Sequence, residues 1–257
     1  MIDPRAVVDP SARLAPEVTV GPFSVIGADV EIDAGTWIGP HVVIQGPTRI
    51  GRDNRIYQFS SLGERPQDKK YGGEPTRLEI GDRNTIREFV TINRGTAQDA
   101  GLTRLGDDNW IMAYVHIAHD CVIGDRTIFA NGASLAGHVH IEDDVVLGGF
   151  ALVYQFTRLG MHSFCGFACG VNHDVPPYVT VAGYRAEPHG INAEGLRRRD
   201  FSDEEIQAIR RAYKAIYRAN LRLEEAIEKV REMTAECPRL QILADFLAAP
   251  SRNGIVR

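Results

Sequence analysis

Aliphatic residues recur at every sixth position over most of this chain. The series starts Ile2, Val8, Leu14, Val20, Ile26, Ile32, Ile38, Ile44, Ile50, Ile56, Leu62. It breaks across the polar stretch 63–79, resumes at Ile80, Ile86 and Ile92, and breaks again across 97–104. From Leu105 it runs unbroken through Ile111, Ile117, Ile123, Phe129, Leu135, Ile141, Leu147, Val153, Leu159 and Cys165 to Val171. A helix repeats every 3.6 residues and a flat strand every two, so neither holds this phase. A parallel β-helix does hold it. Each hexapeptide supplies a short strand and a turn, three hexapeptides close one coil of about 18 residues, and coils stack about 4.8 Å apart. One aliphatic residue per hexapeptide then points inward. The glycine that often follows it, as at positions 27, 39, 51, 81 and 124, suits a tight corner. The two phase breaks read as loops leaving the scaffold, the places where binding residues collect.

Past Val171 the period stops at Pro176-Pro177, and 178–194 reads as a non-repeating connection. The rest is helical in pattern. Ser202 and Glu205 form a capping box before Ile206, Ile209, Tyr213, Ile216 and Tyr217 on one face. Leu223, Ile227, Val230 and Met233 make a second amphipathic stretch ending near Pro238, and a short third helix is expected over 240–249. The expected organisation is mainly β: a parallel β-helix over 1–194 and a small α-helical domain over 195–257 covering one end of it.

Residues 18 apart should sit one above another. From His119 that places Gly137 and then Gln155 in one column, and His138 above Asp120. A histidine beside a carboxylate is a common general base, and a glycine leaves its N–H open to an oxyanion. His116, three residues earlier, adds a third imidazole. The arrangement suits acyl transfer to a hydroxyl, with His119 as base, Asp120 orienting it and Gly137 donating to the tetrahedral intermediate. A reference imidazole pKa of about 6.5 leaves such a base largely neutral near pH 7. No serine or cysteine stands beside His119 as an evident nucleophile. A zinc site is the competing chemistry for clustered histidines, but no metal is expected from this spacing.

Composition adds boundaries. A formal charge of −5 gives no global pull toward nucleic acid or membrane. The longest apolar run, around 145–156, is too short to span a bilayer. The start, Met-Ile-Asp-Pro, lacks an export signal. The four cysteines then read as free thiols of a cytoplasmic protein. Basic residues do cluster locally. Arg197-Arg198-Arg199 suits a diphosphate. Arg210, Arg211, Lys214, Arg218 and Arg222 offer a basic helical face to an acidic partner.

The period of six resembles the hexapeptide-repeat family, which implies a left-handed β-helix and a homotrimer with active sites between subunits. A closer likeness runs through Ile56-Tyr-Gln-Phe-Ser-Ser-Leu-Gly-Glu, Lys70-Tyr-Gly-Gly-Glu-Pro-Thr-Arg, His116-Ile-Ala-His-Asp, Leu135-Ala-Gly-His-Val, Asp174-Val-Pro-Pro-Tyr-Val and Asn192-Ala-Glu-Gly-Leu-Arg-Arg-Arg. These stretches resemble the UDP-N-acetylglucosamine acyltransferases of the lipid A pathway over nearly the whole chain. The resemblance implies transfer of an (R)-3-hydroxyacyl group from the phosphopantetheine of acyl carrier protein to the 3-hydroxyl of UDP-N-acetylglucosamine. It implies no bound cofactor. It gives His119, Asp120 and Gly137 the catalytic roles. Asp68, Lys70, His116, His138 and Gln155 match sugar- and donor-contacting positions, and Asn192, Glu194, Arg198 and Arg199 match nucleotide-binding ones.

Three positions depart from that pattern. Asn93 and Tyr154 stand where the family usually has histidine, which raises a 3-amino sugar as an alternative acceptor. Phe167 stands where long-chain members have glycine. Its ring would fill the length of about four methylenes, so a medium acyl chain near ten carbons is expected.

Overall fold

A computed structural model describes residues 1–257. Its body is a three-sided parallel prism. Sheet 1 has nine strands, from Val7–Val8 to Gly170–Val171. Sheet 2 has eight, from Arg13–Leu14 to Arg158–Leu159. Sheet 3 has ten, from Thr19–Val20 to Glu187–Ile191. The chain visits the sheets in the order 1, 2, 3 and climbs one coil per circuit. Register is kept at 18 residues through His116, Ser134, Leu152 and Gly170. The inward residues of the six-residue period form the core. From Ile26 to Val171 every one is at most 3% exposed, which places each isoleucine at about 1.5–3 kcal/mol of burial free energy. Ile2 is 47% exposed, because it sits in the bottom coil with nothing beneath it.

Each corner between sheets has its own character. Between sheets 2 and 3 runs a polar ladder that the sequence period does not reveal. Buried Asn54, Asn84 and Asn109 each accept a backbone N–H from the coil above, at residues 84, 109 and 127, and donate to the carbonyls of Gly81, Gly106 and Gly124. Beside it Asp82, Asp107, Asp125 and Asp143 accept the N–H of residues 52, 82, 107 and 125. This corrects the reading of the corner glycines. Gly51 and Gly81 are needed for close approach, since a Cβ on either would lie 2.1 Å from an aspartate oxygen of the next coil. The left-handed backbone falls two residues later, on Asp53 (φ 56°) and Arg83 (φ 56°).

The corner between sheets 3 and 1 carries an exposed aromatic stack. Phe23, His41, Phe59, Phe89 and Tyr114 lie face to face with centroids 4.9–5.3 Å apart. The corner between sheets 1 and 2 is where the chain leaves the prism. Ser61 pairs with Thr91 and Thr91 with His116, steps of 30 and 25 residues in place of 18. The excess length forms two loops, 65–76 and 94–101, at this one corner.

Residues 178–194 hold two strands, Val179–Ala182 and Glu187–Ile191, that extend sheet 3 past the proline pair. Helices follow: α1 (Ala193–Arg197), α2 (Asp203–Tyr217), α3 (Leu223–Met233) and α4 (Gln241–Ala248). The capping box at Ser202 and Glu205 is formed. Their apolar faces close a second core around Leu196, Ile206, Ile209, Val230 and Leu243, joined to the prism end through Tyr178. No helix is long and apolar enough to cross a membrane.

Candidate active site

His119 and Asp120 occupy the loop corner one coil above loop 94–101. Asp120 holds a left-handed backbone (φ 59°), which turns its side chain back under the loop. There it is 5% exposed. Its Oδ1 accepts the N–H of Thr96 at 2.8 Å, and its Oδ2 accepts the Thr96 hydroxyl at 2.6 Å. The same Oδ2 lies 2.7 Å from His119 Nδ1. Burial alone would raise the Asp120 carboxyl. The hydrogen bonds with His119 and Thr96 outweigh it and hold the carboxyl below its usual range. A fixed carboxylate on Nδ1 sets that nitrogen as the donor and leaves Nε2 with a free lone pair.

Gly137 stacks on the imidazole as the 18-residue step predicts. A Cβ built there would lie 2.6 Å from His119 Cε1 and 2.8 Å from Nε2, so no other residue fits. The Gly137 N–H donates to no group of the chain, while its neighbour His138 donates to the His119 carbonyl at 3.0 Å. His138 stands edge-on to His119, centroids 5.1 Å apart, and above Asp120 with Nε2 3.7 Å from Oδ2. Its Nδ1 pairs with Asp99 of the second loop at 2.9 Å. His119, Asp120 and His138 form a compact donor set, their ligand atoms within 4.8 Å of one another. Both Asp120 oxygens are already engaged by Thr96 and His119, the pattern of a carboxylate orienting an imidazole.

These groups face a cavity of about 760 Å³ lined by Gln67, Asp68, Lys69, Lys70, Gln98, Asp99, His119, His138, Gln155, Phe156 and Arg252. Of the residues expected to bind substrate, Asp68, Lys70, His138 and Gln155 therefore meet the base in one chain. His116 lies on sheet 1 beside it, its Nδ1 2.7 Å from Thr91 Oγ1. Burial and the neighbouring His119 push its imidazole below the usual value. Asn192, Glu194, Arg198 and Arg199 lie elsewhere. Asn192 caps α1 and donates to the His162 carbonyl, Arg198 pairs with Glu194, and Arg199 is tied to Asp144 at 2.8 Å. This is the ladder corner, across sheet 2 from His119. Phe167 is 74% exposed on the aromatic corner, edge-on to Phe150.

Asn93 is buried, with Nδ2 donating to the Arg65 carbonyl at 2.9 Å, and so anchors the first loop. Tyr154 is exposed beside a shallow apolar depression of about 360 Å³ formed with Leu152, Gly170 and Tyr184. Thr96, Asp99, Phe156 and Arg252 were not singled out from sequence. Phe156 had a signal, being the next 18-residue step above His138. The others reach the site across loops that carry no period. The basic residues Arg211, Lys214, Arg218 and Lys229 line a groove between α2 and α3.

Comparison with known proteins gives a consistent picture. Residues 174–256 match the family model described as Udp N-acetylglucosamine O-acyltransferase, Domain 2, and residues 103–137 match the bacterial transferase hexapeptide model. The acyl-[acyl-carrier-protein]–UDP-N-acetylglucosamine O-acyltransferase of Halorhodospira halophila is 63% identical, covering 100% of this chain and 99% of that protein. The enzyme of the same name from Herminiimonas arsenicoxydans is 60% identical with the same coverage. Among solved structures, the UDP-N-acetylglucosamine acyltransferase of Francisella novicida superposes with a TM-score of 0.98 at 45% identity, over 100% of this chain and 94% of that one. The O-acyltransferase of Moraxella catarrhalis superposes with a TM-score of 0.97 at 44% identity, over 100% and 99%.

Proposed function

Because the chain belongs to the UDP-N-acetylglucosamine O-acyltransferase family, we propose that His119 is the general base of an acyl transfer run in the loop-corner cavity. The protein is an acyl-[acyl-carrier-protein]–UDP-N-acetylglucosamine O-acyltransferase with a left-handed β-helix, and it catalyses the first step of lipid A biosynthesis. An (R)-3-hydroxyacyl chain passes from the carrier-protein thioester to the sugar 3-hydroxyl. His119 Nε2 takes the hydroxyl proton as the oxygen attacks the thioester carbonyl. Asp120 stabilises the imidazolium that forms. The free Gly137 N–H receives the oxyanion. Collapse expels the phosphopantetheine thiolate, which recovers the proton from His119. No covalent acyl-enzyme and no metal enter this sequence. The observation that carries the reading is the His119–Asp120 pair at 2.7 Å under a glycine whose N–H is unspent.

Asp68, Lys70, His138 and Gln155 hold the substrates at the base, with His116 behind them. The nucleotide positions Asn192, Glu194, Arg198 and Arg199 lie at another corner, so a complete site draws on a second copy. The working unit is a homotrimer, acting in the cytoplasm. Phe167, also on another corner, limits the acyl chain in a neighbour's site to about ten carbons. The acidic carrier protein meets the basic groove between α2 and α3. The 3-amino acceptor is not favoured. The relatives named are O-acyltransferases, and Asn93, one of the residues that raised it, anchors a loop and does not line the cavity.

One experiment tests these assignments together: turnover of 3-hydroxyacyl carrier proteins of graded length with UDP-N-acetylglucosamine and its 3-amino analogue. Wild type should prefer the hydroxyl acceptor and a medium chain, and Phe167→Gly should lengthen the preferred chain. His119→Ala should lose about 10²–10⁴-fold in kcat. A His119→Ala enzyme with most of its activity would sink the mechanism.

A further inference from the structure

The segment after α4 returns to the prism and walls one side of the catalytic cavity. Asn253 Nδ2 donates to the Gln155 carbonyl at 3.1 Å and to Thr157 Oγ1 at 3.2 Å. The Gly254 carbonyl accepts the Asp174 N–H at 2.8 Å, and the Val256 N–H donates to the Asp174 carbonyl at 2.9 Å. Val256 is 2% exposed and belongs to the prism core. The segment is thus clamped on both backbone and side chain directly beyond Arg252.

Arg252 lines the cavity that contains His119. Its guanidinium carbon lies 3.7 Å from the centroid of Phe156. Phe156 stacks on His138 at 4.5 Å and 12°, and His138 stands against His119. A guanidinium stacked over a ring keeps its N–H fork free at the edges, and that fork matches the oxygens of a phosphate. Arg252 forms no ion pair and donates no hydrogen bond within the chain, so the fork is unspent. Lys69 and Lys70 of the first loop line the same cavity. Positive groups from two unconnected segments converge on this space, and its two carboxylates are engaged elsewhere, Asp99 with His138 Nδ1 and Asp68 with the Lys70 N–H.

We propose that Arg252 binds a substrate phosphate at the edge of the catalytic cavity, an inference that rests on the acyl-transfer reading above. Both substrates carry such a group: the diphosphate of the nucleotide sugar, and the phosphodiester at the root of the donor's pantetheine arm. In either case Arg252 tethers a substrate remote from the reacting carbonyl. The stack through Phe156 and His138 fixes the tether relative to His119.

The test is steady-state kinetics of wild type beside Arg252→Ala, Arg252→Met and Arg252→Lys. The methionine keeps an apolar stem on Phe156 and removes the charge together with the N–H fork. Arg252→Ala and Arg252→Met should raise the KM of one substrate about tenfold with kcat within about twofold, and lysine should recover part of the loss. The substrate whose KM moves identifies the phosphate. For the donor, an acyl-phosphopantetheine should beat the acyl-pantetheine without phosphate in wild type and lose that advantage in Arg252→Ala. For the acceptor, UDP should bind more weakly to Arg252→Ala while uridine binds equally to both. KM values for both substrates within twofold of wild type in all three variants would overturn the inference and leave the acyl-transfer reading standing. So would a methionine variant that matches wild type, or a fall in kcat alone. A wild type that transfers no acyl group would bring down the reading itself.

Discussion

At the scale of single residues the site depends on one missing side chain. Gly137 lies so close to the imidazole that a Cβ would sit 2.6 Å from it. Gly137→Ala must push His119 off its line with Asp120 while leaving the prism core untouched. It should lower kcat by about 10²-fold through misplacement of the base, with the thermal transition nearly unchanged. Activity and melting measured on the same preparation separate this from a folding defect. The His119, Gly137 and Gln155 column was legible because an unbroken period fixes which residues stack. Thr96, which takes both oxygens of Asp120, was not, because it arrives on a loop whose length the period does not govern. Asp99 reaches His138 in the same way.

At the scale of the elements, two kinds of order hold the coils together. The aliphatic columns were evident from the six-residue spacing. The asparagine ladder was hidden, because Asn54, Asn84 and Asn109 follow the insertion-broken spacings of 30 and 25. Asn84 accepts the Asn109 N–H and donates to the Gly106 carbonyl, both at 2.9 Å and both buried. Asn84→Ala leaves that donor and that acceptor without partners in the dry corner. The expected cost is about 2–4 kcal/mol, read as a lowered midpoint in chemical unfolding. An exposed asparagine such as Asn172, outside the ladder, should show almost none of it.

For the whole molecule, the prism and the helices meet at a buried histidine. His162 stacks on Tyr178 at 5.8 Å and stands edge-on to Phe201 at 5.1 Å. Burial pushes its imidazole down to about 4. Asp144 pulls the other way, and Arg199, Arg239 and Arg126 add to the fall. An unfolded chain would protonate this ring near pH 6.5. Between about pH 6.5 and 4 the unfolded state therefore binds the extra proton, and stability rises with pH across that window. His162→Gln should flatten the slope of thermal stability between pH 4.5 and 6.5, whatever it does to the absolute value. The placement of Arg198 and His119 on separate corners gives a second test. Chains carrying His119→Ala and chains carrying Arg198→Ala, refolded together, should regain part of the activity that neither has alone. A mixture as inactive as its parts would place both residues in one subunit's site. The prism and the helical end were legible from the two periodicities, but the return of the last segment to Gln155, 98 residues back, had no pattern to announce it. The two insertions have a further consequence. One corner absorbs the excess over 18 of a 30-residue coil and of the 25-residue coil after it, and the asparagine ladder and aromatic stack on the other two corners keep their register throughout. The scaffold therefore separates what must be copied faithfully from what can be rewritten. Loops of new length and composition grafted at 65–76, or at 94–101 with Thr96 and Asp99 kept in place, should change what the enzyme accepts without asking the rest of the molecule to refold around them.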